Sequence, residues 1–201
     1  MNTNKVITVS VVGLAGLALL SGCTGGGSAG DNTTAAPTSL VASTPMPAAT
    51  ASLSQRGVSF QDTGMNHSIK VIEFLNDLPL SDDDAAAFAG SIQGGSVVAL
   101  HVTATAGITM PTYVYSQNFQ IQCAGMVAPT PPNNYFDADL AAAGYTPWTN
   151  PNRAETSDGW MTYTVAGIKN PTNCFLIYSR AATAGPGGTT IDAFEKDVEL
   201  N

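Results

Sequence analysis

Residues 96–104 read Ser-Val-Val-Ala-Leu-His-Val-Thr-Ala, and their side chains alternate with a period of two. In an extended chain this alternation places four apolar side chains on one face: Val98, Leu100, Val102 and Ala104. The pattern predicts a β-strand with that face on a hydrophobic core. His101 lies on the opposite face, where we expect it to be exposed.

Further strands are predicted on both sides of this stretch, where short runs of β-branched and aromatic residues are separated by Gly, Pro and Asn. The candidate strands are residues 58–61, 68–75, 113–123, 160–165, 174–179 and 191–200. One long excursion, residues 124–159, interrupts the series. This arrangement favours an all-β fold, an antiparallel β-sandwich over residues 55–201.

Two short helices are predicted as insertions between the strands. Residues 81–84, Ser-Asp-Asp-Asp, are typical of an N-cap with an acidic first turn, and Gly90 is typical of a helix stop. Residues 137–139, Asp-Ala-Asp, precede a second short helix, which Gly144 is expected to end.

The amino terminus, residues 1–22, has the three parts of a signal peptide: a weakly positive start, an apolar run and small residues before Cys23. The apolar run, residues 6–20, is shorter than the roughly 20 residues that a spanning helix requires. Leu-Ser-Gly-Cys resembles the bacterial lipobox, which implies cleavage before Cys23 and a lipid on its thiol. The alternative is an ordinary signal peptide with Cys23 near the cut by chance.

The segment that follows, residues 23–54, is expected to be the lipidated cysteine and a disordered tether. It is rich in Gly, Ala, Thr, Ser and Pro, and Asp31 is its only charge. Such a composition cannot bury enough apolar surface to offset the entropy cost of ordering. The predicted location is therefore the extracellular face of the cell membrane, with the domain held there by its N-terminal lipid.

The charge of the chain excludes one class of partner. The formal net charge is −8, and Lys and Arg form no cluster. An acidic surface repels phosphate backbones, so we expect no nucleic-acid partner. Electrostatic docking on anionic lipid is disfavoured for the same reason.

Two cysteines remain once Cys23 is set aside as the lipidation site. Cys123 and Cys174 lie at the ends of predicted strands, and an exported chain meets an oxidising environment, so a disulfide between them is predicted. The alternatives are two buried thiols or a redox pair. A CxxC motif, which would favour the redox pair, is absent from the sequence.

The order of these pieces resembles a known class of domain. The signals are an apolar strand pair near residues 58–75, then residues 95–105, 118–121, 158–165 and 175–178, all after a tether. Together they resemble the immunoglobulin-like domains of unknown function in surface lipoproteins and secreted antigens of Gram-positive bacteria, actinobacteria especially. The resemblance implies an extracellular β-sandwich. It implies no functional residue in this sequence, because these domains have no agreed active site. The insert at 124–157 departs from their pattern of strands.

Catalytic and metal-binding motifs are missing from the sequence. GxSxG, SxxK, HExxH and a glycine-rich phosphate loop are all absent, and His67 and His101 are the only histidines. Asp82, Asp83 and Asp84 could be read as calcium ligands. The alternative, a helix N-terminus that favours carboxylates, accounts for all three. We therefore predict no catalytic residue, cofactor or metal.

Aromatic side chains in the long excursion are the best candidates for contact with a partner. Tyr135, Tyr145 and Trp148 are predicted to form a patch, since exposed Tyr and Trp bury large area at low entropic cost. The alternative is that the loop packs its own aromatics over the sandwich as a satellite core.

The sequence thus favours a lipid-anchored, non-enzymatic binding or interaction lipoprotein whose partner is an unidentified protein or envelope ligand. The alternative is a cell-envelope hydrolase with an unrecognised site near His101 or in the insert. The solute receptor of an importer is disfavoured, because such receptors need two lobes and a longer chain.

Overall fold

The computed structural model describes residues 53–108 and 113–201. The predicted signal peptide, Cys23 and all but the last two residues of the predicted tether lie outside this range. The first strand begins at Leu53, two residues before the predicted start of the domain. No helix within the described residues is long and apolar enough to cross a membrane.

The described chain is mostly β-strand, with short helices between the strands, as predicted. The strands are β1 (Leu53–Asp62), β2 (His67–Leu75), β3 (Ser96–Thr105), β4 (Phe119–Gln122), β5 (Thr156–Val165), β6 (Phe175–Arg180), β7 (Thr183–Ala184), β8 (Thr190–Ile191) and β9 (Phe194–Glu199). The α-helices are α1 (Asp82–Ala87), α2 (Ala89–Ile92) and α3 (Asp137–Ala142), and 3-10 turns lie at Ser116–Asn118 and Pro186–Gly188.

Several predicted element bounds differ from the structure. Gly90 does not stop the first helix: it lies inside α2, whose C-cap residue, Gln93, is in the left-handed region with φ of 51°. The predicted strand at 113–123 is shortened to β4, because a 3-10 turn at Ser116–Asn118 precedes it. In this turn the Asn118 side-chain oxygen accepts a hydrogen bond from the Tyr115 N–H at 3.1 Å. The predicted strand at 191–200 is divided into β8 and β9.

The strands form two main antiparallel sheets and one small hairpin. The first sheet has the order β1-β2-β3-β5, the second has the order β4-β6-β9, and β7 pairs with β8. The register pairs Leu100 with Phe74 on one side and with Met161 on the other. A constant-type immunoglobulin domain divides seven strands in the same four-plus-three way, but with the order 1-2-5-4 and 3-6-7. Here β3 lies where the fifth strand would be, β5 where the fourth would be and β4 where the third would be.

One hydrophobic cluster contains side chains of both main sheets. Val98, Leu100 and Val102 of β3 share it with Phe119 of β4 and Tyr178 of β6. The predicted inward face of residues 96–104 is thus buried. Each of these side chains contributes on the order of 1.5–3 kcal/mol by leaving water.

A second cluster covers the outer face of the first sheet. Val97 and Ala99 of β3 pack there with Trp160 of β5 and with Phe136 and Leu140 from around α3. The first half of the face of β3 on which His101 lies is therefore buried as well. The alternation is real, but the outer face is buried at Val97 and Ala99 and only partly buried from His101 onward.

Candidate binding cleft

The candidate site lies on the outer edge of β5, where two loop segments of the long excursion pair with the strand. On one side of Met161 the Asn133 N–H donates to Thr162 O at 2.9 Å. On the other side the Trp148 N–H donates to Trp160 O at 2.8 Å, and the Trp160 N–H donates to Thr146 O at 2.8 Å. The two segments therefore cover the strand edge and leave Met161 between them.

Gly159 allows one of these segments to approach the strand closely. A Cβ at this position would lie 2.9 Å from the Trp148 Cα and 3.0 Å from the Pro147 carbonyl oxygen. Neither backbone atom could move without breaking the pairing to Trp160 described above. A residue without a side chain at 159 is thus required for the observed position of Trp148.

An open cleft of about 610 Å³ lies between the two segments. This volume is within the range of small-molecule sites, about 300–1,000 Å³. The lining side chains are mostly aromatic, amide and hydroxyl groups, with a single carboxylate, one proline and one methionine: Ser116, Gln117, Pro132, Asn133, Asn134, Tyr135, Asp137, Trp148, Thr149, Asn150, Trp160 and Met161.

Trp148 and Asn150 are fixed to one another at one side of the cleft. The Trp148 Nε1–H donates to Asn150 Oδ1 at 3.1 Å, and the Ser116 N–H donates to the same oxygen at 2.8 Å. The indole also packs edge-on against Phe119, with ring centroids 5.7 Å apart. Because both donors hold the amide oxygen, the Asn150 Nδ2 group has no partner within the described structure and can donate to a ligand.

Tyr135 forms the opposite rim and is 63% exposed. Its ring stacks on Phe88, with centroids 5.4 Å apart and planes 20° apart. Its N–H donates to Asn133 Oδ1 at 3.2 Å. The side chain is therefore supported from behind while one side faces solvent.

Tyr145 occupies a different place from the other two residues of the predicted patch. Its N–H donates to Leu140 O at 2.9 Å and the Gly144 N–H donates to Ala141 O at 3.0 Å, as in a Schellman motif after α3. This turn packs Tyr145 against Trp160, with ring centroids 4.4 Å apart. The structure thus brings Tyr135 and Trp148 to one cleft and places Tyr145 in the second hydrophobic cluster.

Asp137 is the one carboxylate among the described residues that line the cleft. Burial raises the pKa of its carboxyl. No Lys, Arg or His from the described part of the chain contributes to the lining. The cleft therefore offers hydrogen bonds and aromatic surface with little charge.

The amide and hydroxyl residues of the cleft were not predicted. Asn133, Asn150 and Ser116 come together only because the excursion folds back twice on β5. A signal was present in the sequence: the excursion contains Asn-Asn-Tyr at 133–135 and Trp-Thr-Asn at 148–150, two places where amides adjoin an aromatic residue.

The predicted disulfide is confirmed. Cys123 and Cys174 are joined, with an S–S distance of 2.06 Å. Cys123 follows β4 and Cys174 precedes β6, so the bond closes one end of the second sheet. It also fixes the point where the long excursion leaves that sheet.

His101 is partly buried, which corrects the expectation that it is exposed. Its ring stacks on Trp160 at 4.9 Å, with the planes 13° apart. Its Nε2 lies 2.7 Å from Asp158 Oδ1, and its Nδ1 lies 3.6 Å from Glu73 Oε2. Neither ring nitrogen contacts a hydroxyl or thiol among the residues described.

His67 is the more deeply buried of the two histidines. It is the first residue of β2 and is fully buried, with its Nδ1 accepting from the Gly107 N–H at 2.9 Å. Burial lowers its pKa, and nearby Arg180 lowers it too, while Asp62 opposes them. Within residues 53–108 and 113–201, no group of three or more His, Cys, Asp or Glu side chains is arranged to hold a metal ion.

A comparison with family models, with curated proteins and with solved structures finds no match to this chain.

Proposed function

We propose that this chain is a lipid-anchored binding protein of the cell surface, and that its ligand occupies the cleft between Tyr135 and Trp148. The anchor is argued from the sequence at Cys23. The single observation that carries the binding function is the cleft itself, whose side chains are held in place before any ligand arrives.

Preorganisation supports this proposal because it lowers the cost of binding. Ordering a side chain at an interface costs about 0.5–1.5 kcal/mol. Asn150 is already held by two hydrogen bonds, and Tyr135 is already stacked on Phe88. A ligand would therefore bind without ordering either side chain.

We further propose that the domain is an immunoglobulin-like sandwich with an altered strand order. The four-plus-three division of the main sheets and the hydrophobic cluster with side chains from both support this classification. The departure from it is the placement of β3, β4 and β5, which lie where the fifth, third and fourth strands of a constant-type domain would be.

A cell-envelope hydrolase is the second candidate, and one observation favours it. The His101–Asp158 contact of 2.7 Å is the geometry of a histidine oriented by a carboxylate. We rank this function second because the Thr103 hydroxyl donates to Asp158 at 3.1 Å and not to the imidazole. The arrangement therefore lacks a nucleophile hydrogen-bonded to its base.

The binding function is tested by co-sedimentation of the full chain with delipidated envelope from a Gram-positive bacterium. The chain carries Cys23→Ser, so that a covalent lipid cannot hold it. We expect it to sediment with the envelope and Tyr135→Ala to reduce the bound fraction severalfold. Tyr113→Ala is the matched control, because Tyr113 is also exposed, also has an aromatic neighbour and does not line the cleft.

Equal binding by both tyrosine variants, or no binding by the parent chain, would overturn the proposal. The same incubation tests the second candidate. Release of soluble fragments from the envelope that is abolished by His101→Gln would establish the hydrolase in its place.

A further inference from the structure

We infer that the cleft takes a neutral, polyhydroxylated ligand, a saccharide chain of the cell envelope. This inference rests on the proposed binding function and names the chemical class of its ligand. It follows from the donors and acceptors of the lining, from its aromatic surface and from its charge.

The polar groups of the cleft match the hydroxyl groups of a sugar. A hydroxyl both donates and accepts, so it is best satisfied by amide and hydroxyl partners, which also do both. Asn150 Nδ2 supplies a donor whose direction is fixed, because Oδ1 of the same amide accepts from Trp148 and Ser116. Asp137 supplies an acceptor, and Gln117 and Asn134 add amides.

The aromatic side chains match the apolar C–H face of a sugar ring. The C–H bonds of a pyranose or furanose carry small positive charges, and the face of an aromatic ring is negative. Trp148 lines the cleft, and Tyr135 presents an exposed ring at its rim. Open access on one side allows a chain of several sugars to extend past Tyr135.

Charge disfavours an acidic ligand. The chain has a formal net charge of −8, and the described lining residues include one carboxylate, Asp137, and no Lys, Arg or His. A uronate, a phosphate or a nucleotide would meet a carboxylate and no cation. The remaining competitor is a quaternary ammonium group, which aromatic residues also bind. A quaternary ammonium group neither donates nor accepts a hydrogen bond, so it would use none of the six amide and hydroxyl side chains of the lining.

Tryptophan fluorescence of the full chain measures binding at this site directly. The chain has two tryptophans, Trp148 and Trp160, and both line the cleft. The probes are maltohexaose, cellohexaose, mannotetraose, arabinohexaose and chitotetraose, with hexagalacturonate as the acidic comparison and choline as the quaternary amine. We expect saturable change with at least one neutral oligosaccharide, and none with hexagalacturonate or choline.

Asn150→Asp is the decisive variant. An aspartate at this position keeps an oxygen for the Trp148 Nε1–H and the Ser116 N–H, so the fold is retained. It replaces the donating Nδ2 group by a second, negative oxygen. We expect it to weaken oligosaccharide binding about tenfold, the effect of losing one good hydrogen bond. The same variant would strengthen the binding of choline if the cleft were a cation site.

Two further variants separate the ligand contact from a general loss of structure. Tyr135→Ala should weaken oligosaccharide binding about tenfold, while Tyr113→Ala should leave it unchanged. Near-ultraviolet circular dichroism and the urea midpoint of each variant report whether the fold is intact.

The inference is overturned if no neutral oligosaccharide changes the fluorescence, if Asn150→Asp leaves its affinity unchanged, or if choline binds and Asn150→Asp tightens it. These results are distinguishable from failure of the proposed function. If the envelope still binds in a Tyr135-dependent way, the cleft is a binding site for another chemical class. If the envelope does not bind, both proposals fail.

Discussion

Asp62 and Arg180 form a buried ion pair that joins the last residue of β1 to the last residue of β6, and hence the first sheet to the second. Arg180 Nε donates to Asp62 Oδ2 at 2.5 Å, and Arg180 Nη2 donates to Asp62 Oδ1 at 3.0 Å. Arg180 also donates to the backbone oxygens of Ala181 and Asp192, both at 2.9 Å. The guanidinium therefore organises the chain that leads into β9 as well as the contact between sheets.

Breaking this pair from one side is expected to destabilise the domain strongly. Arg180→Met leaves the Asp62 carboxylate buried without its cation, which costs about 3–5 kcal/mol. The double variant Asp62→Asn/Arg180→Met should lose less than the sum of the single variants, because neither residue is then a buried unpaired charge. Urea unfolding of the four proteins gives the coupling free energy.

Arg153→Met is the control for this experiment. Arg153 is exposed, so removal of its charge should change the free energy of unfolding by no more than about 0.5 kcal/mol. A loss at Arg180 as small as that at Arg153 would show that the ion pair contributes little.

Stability is expected to fall as the pH falls below about 6.5, because His67 must become protonated inside the protein. Burial lowers the folded-state pKa of His67 below its ordinary value of 6.5. The unfolded state therefore binds more protons between the lowered pKa and pH 6.5, so stability rises with pH across that window. The contribution is fully present above pH 6.5 and is lost as the pH falls through the folded-state pKa.

The measurement is the urea midpoint from pH 5 to 7.5 for the parent chain and for His67→Asn. The asparagine Oδ1 can accept from the Gly107 N–H in place of the imidazole Nδ1, but it does not titrate. The slope of stability against pH should be shallower in the variant. Equal slopes would show that His67 is not responsible, since the contributions of all other groups cancel in the comparison.

Much of the fold was predictable from the sequence because strand alternation is a local signal. The predicted strand at 96–104 is β3, and the predicted inward face is the buried one. Coverage of the opposite face was not predictable, because α3 and Trp160 reach it from about 40 to 60 residues away in the chain. The contacts of His101 with Trp160 and Asp158 were not predictable for the same reason, because they depend on the pairing of β3 with β5, which are far apart in the sequence.

The candidate site was only partly predictable for a similar reason. Tyr135 and Trp148 are large aromatics in a long excursion, and composition alone singles them out. The separation of Tyr145 from them depends on the turn after α3, which points it at Trp160. Asp62 and Arg180 are separated by 118 residues and carry no local pattern, so nothing in the sequence indicates that they pair.

The disulfide should provide a large part of the stability of the domain. It closes a loop with a sequence separation of 51 residues. The chain-entropy relation assigns such a loop roughly 4 kcal/mol. Cys123→Ala/Cys174→Ala should lose about this much in urea unfolding. Alkylation of the unfolded, unreduced parent should label neither residue, and labelling of both would contradict the bond.

Lipidation at Cys23 makes a separate prediction, which does not depend on the cleft. Cells that express the full chain and are fed a palmitate analogue should incorporate the label into the protein. Cys23→Ser removes the thiol that would carry the lipid, so it should abolish labelling and release the chain to the medium. Cys123→Ser, which also removes a cysteine but not that thiol, should still be labelled. Label retained in Cys23→Ser would disprove the assignment.

Asp139 is expected to be a site where a neutral side chain stabilises the domain. It is buried in α3, its Oδ1 accepts from the Ser81 N–H at 2.8 Å, and its Oδ2 has no partner in the described part of the chain. Burial raises the pKa of this carboxyl above 3.8, and the nearby Asp84 raises it further, against the lowering effect of the Ser81 hydrogen bond. The contribution of Asp139 to stability is thus present below pH 3.8 and lost as the pH rises through its folded-state pKa.

Asp139→Asn keeps the acceptor for Ser81 and provides an N–H group that can donate to the Asp84 carboxylate. We expect it to raise the free energy of unfolding by about 1 kcal/mol at pH 7 and by less at pH 4. Urea unfolding at the two pH values measures both effects. Asp83→Asn removes a charge at an exposed position on α1, so it should change stability by no more than about 0.5 kcal/mol. A gain in Asp139→Asn that is the same at pH 4 and pH 7 would mean that ionisation of this carboxyl does not limit stability.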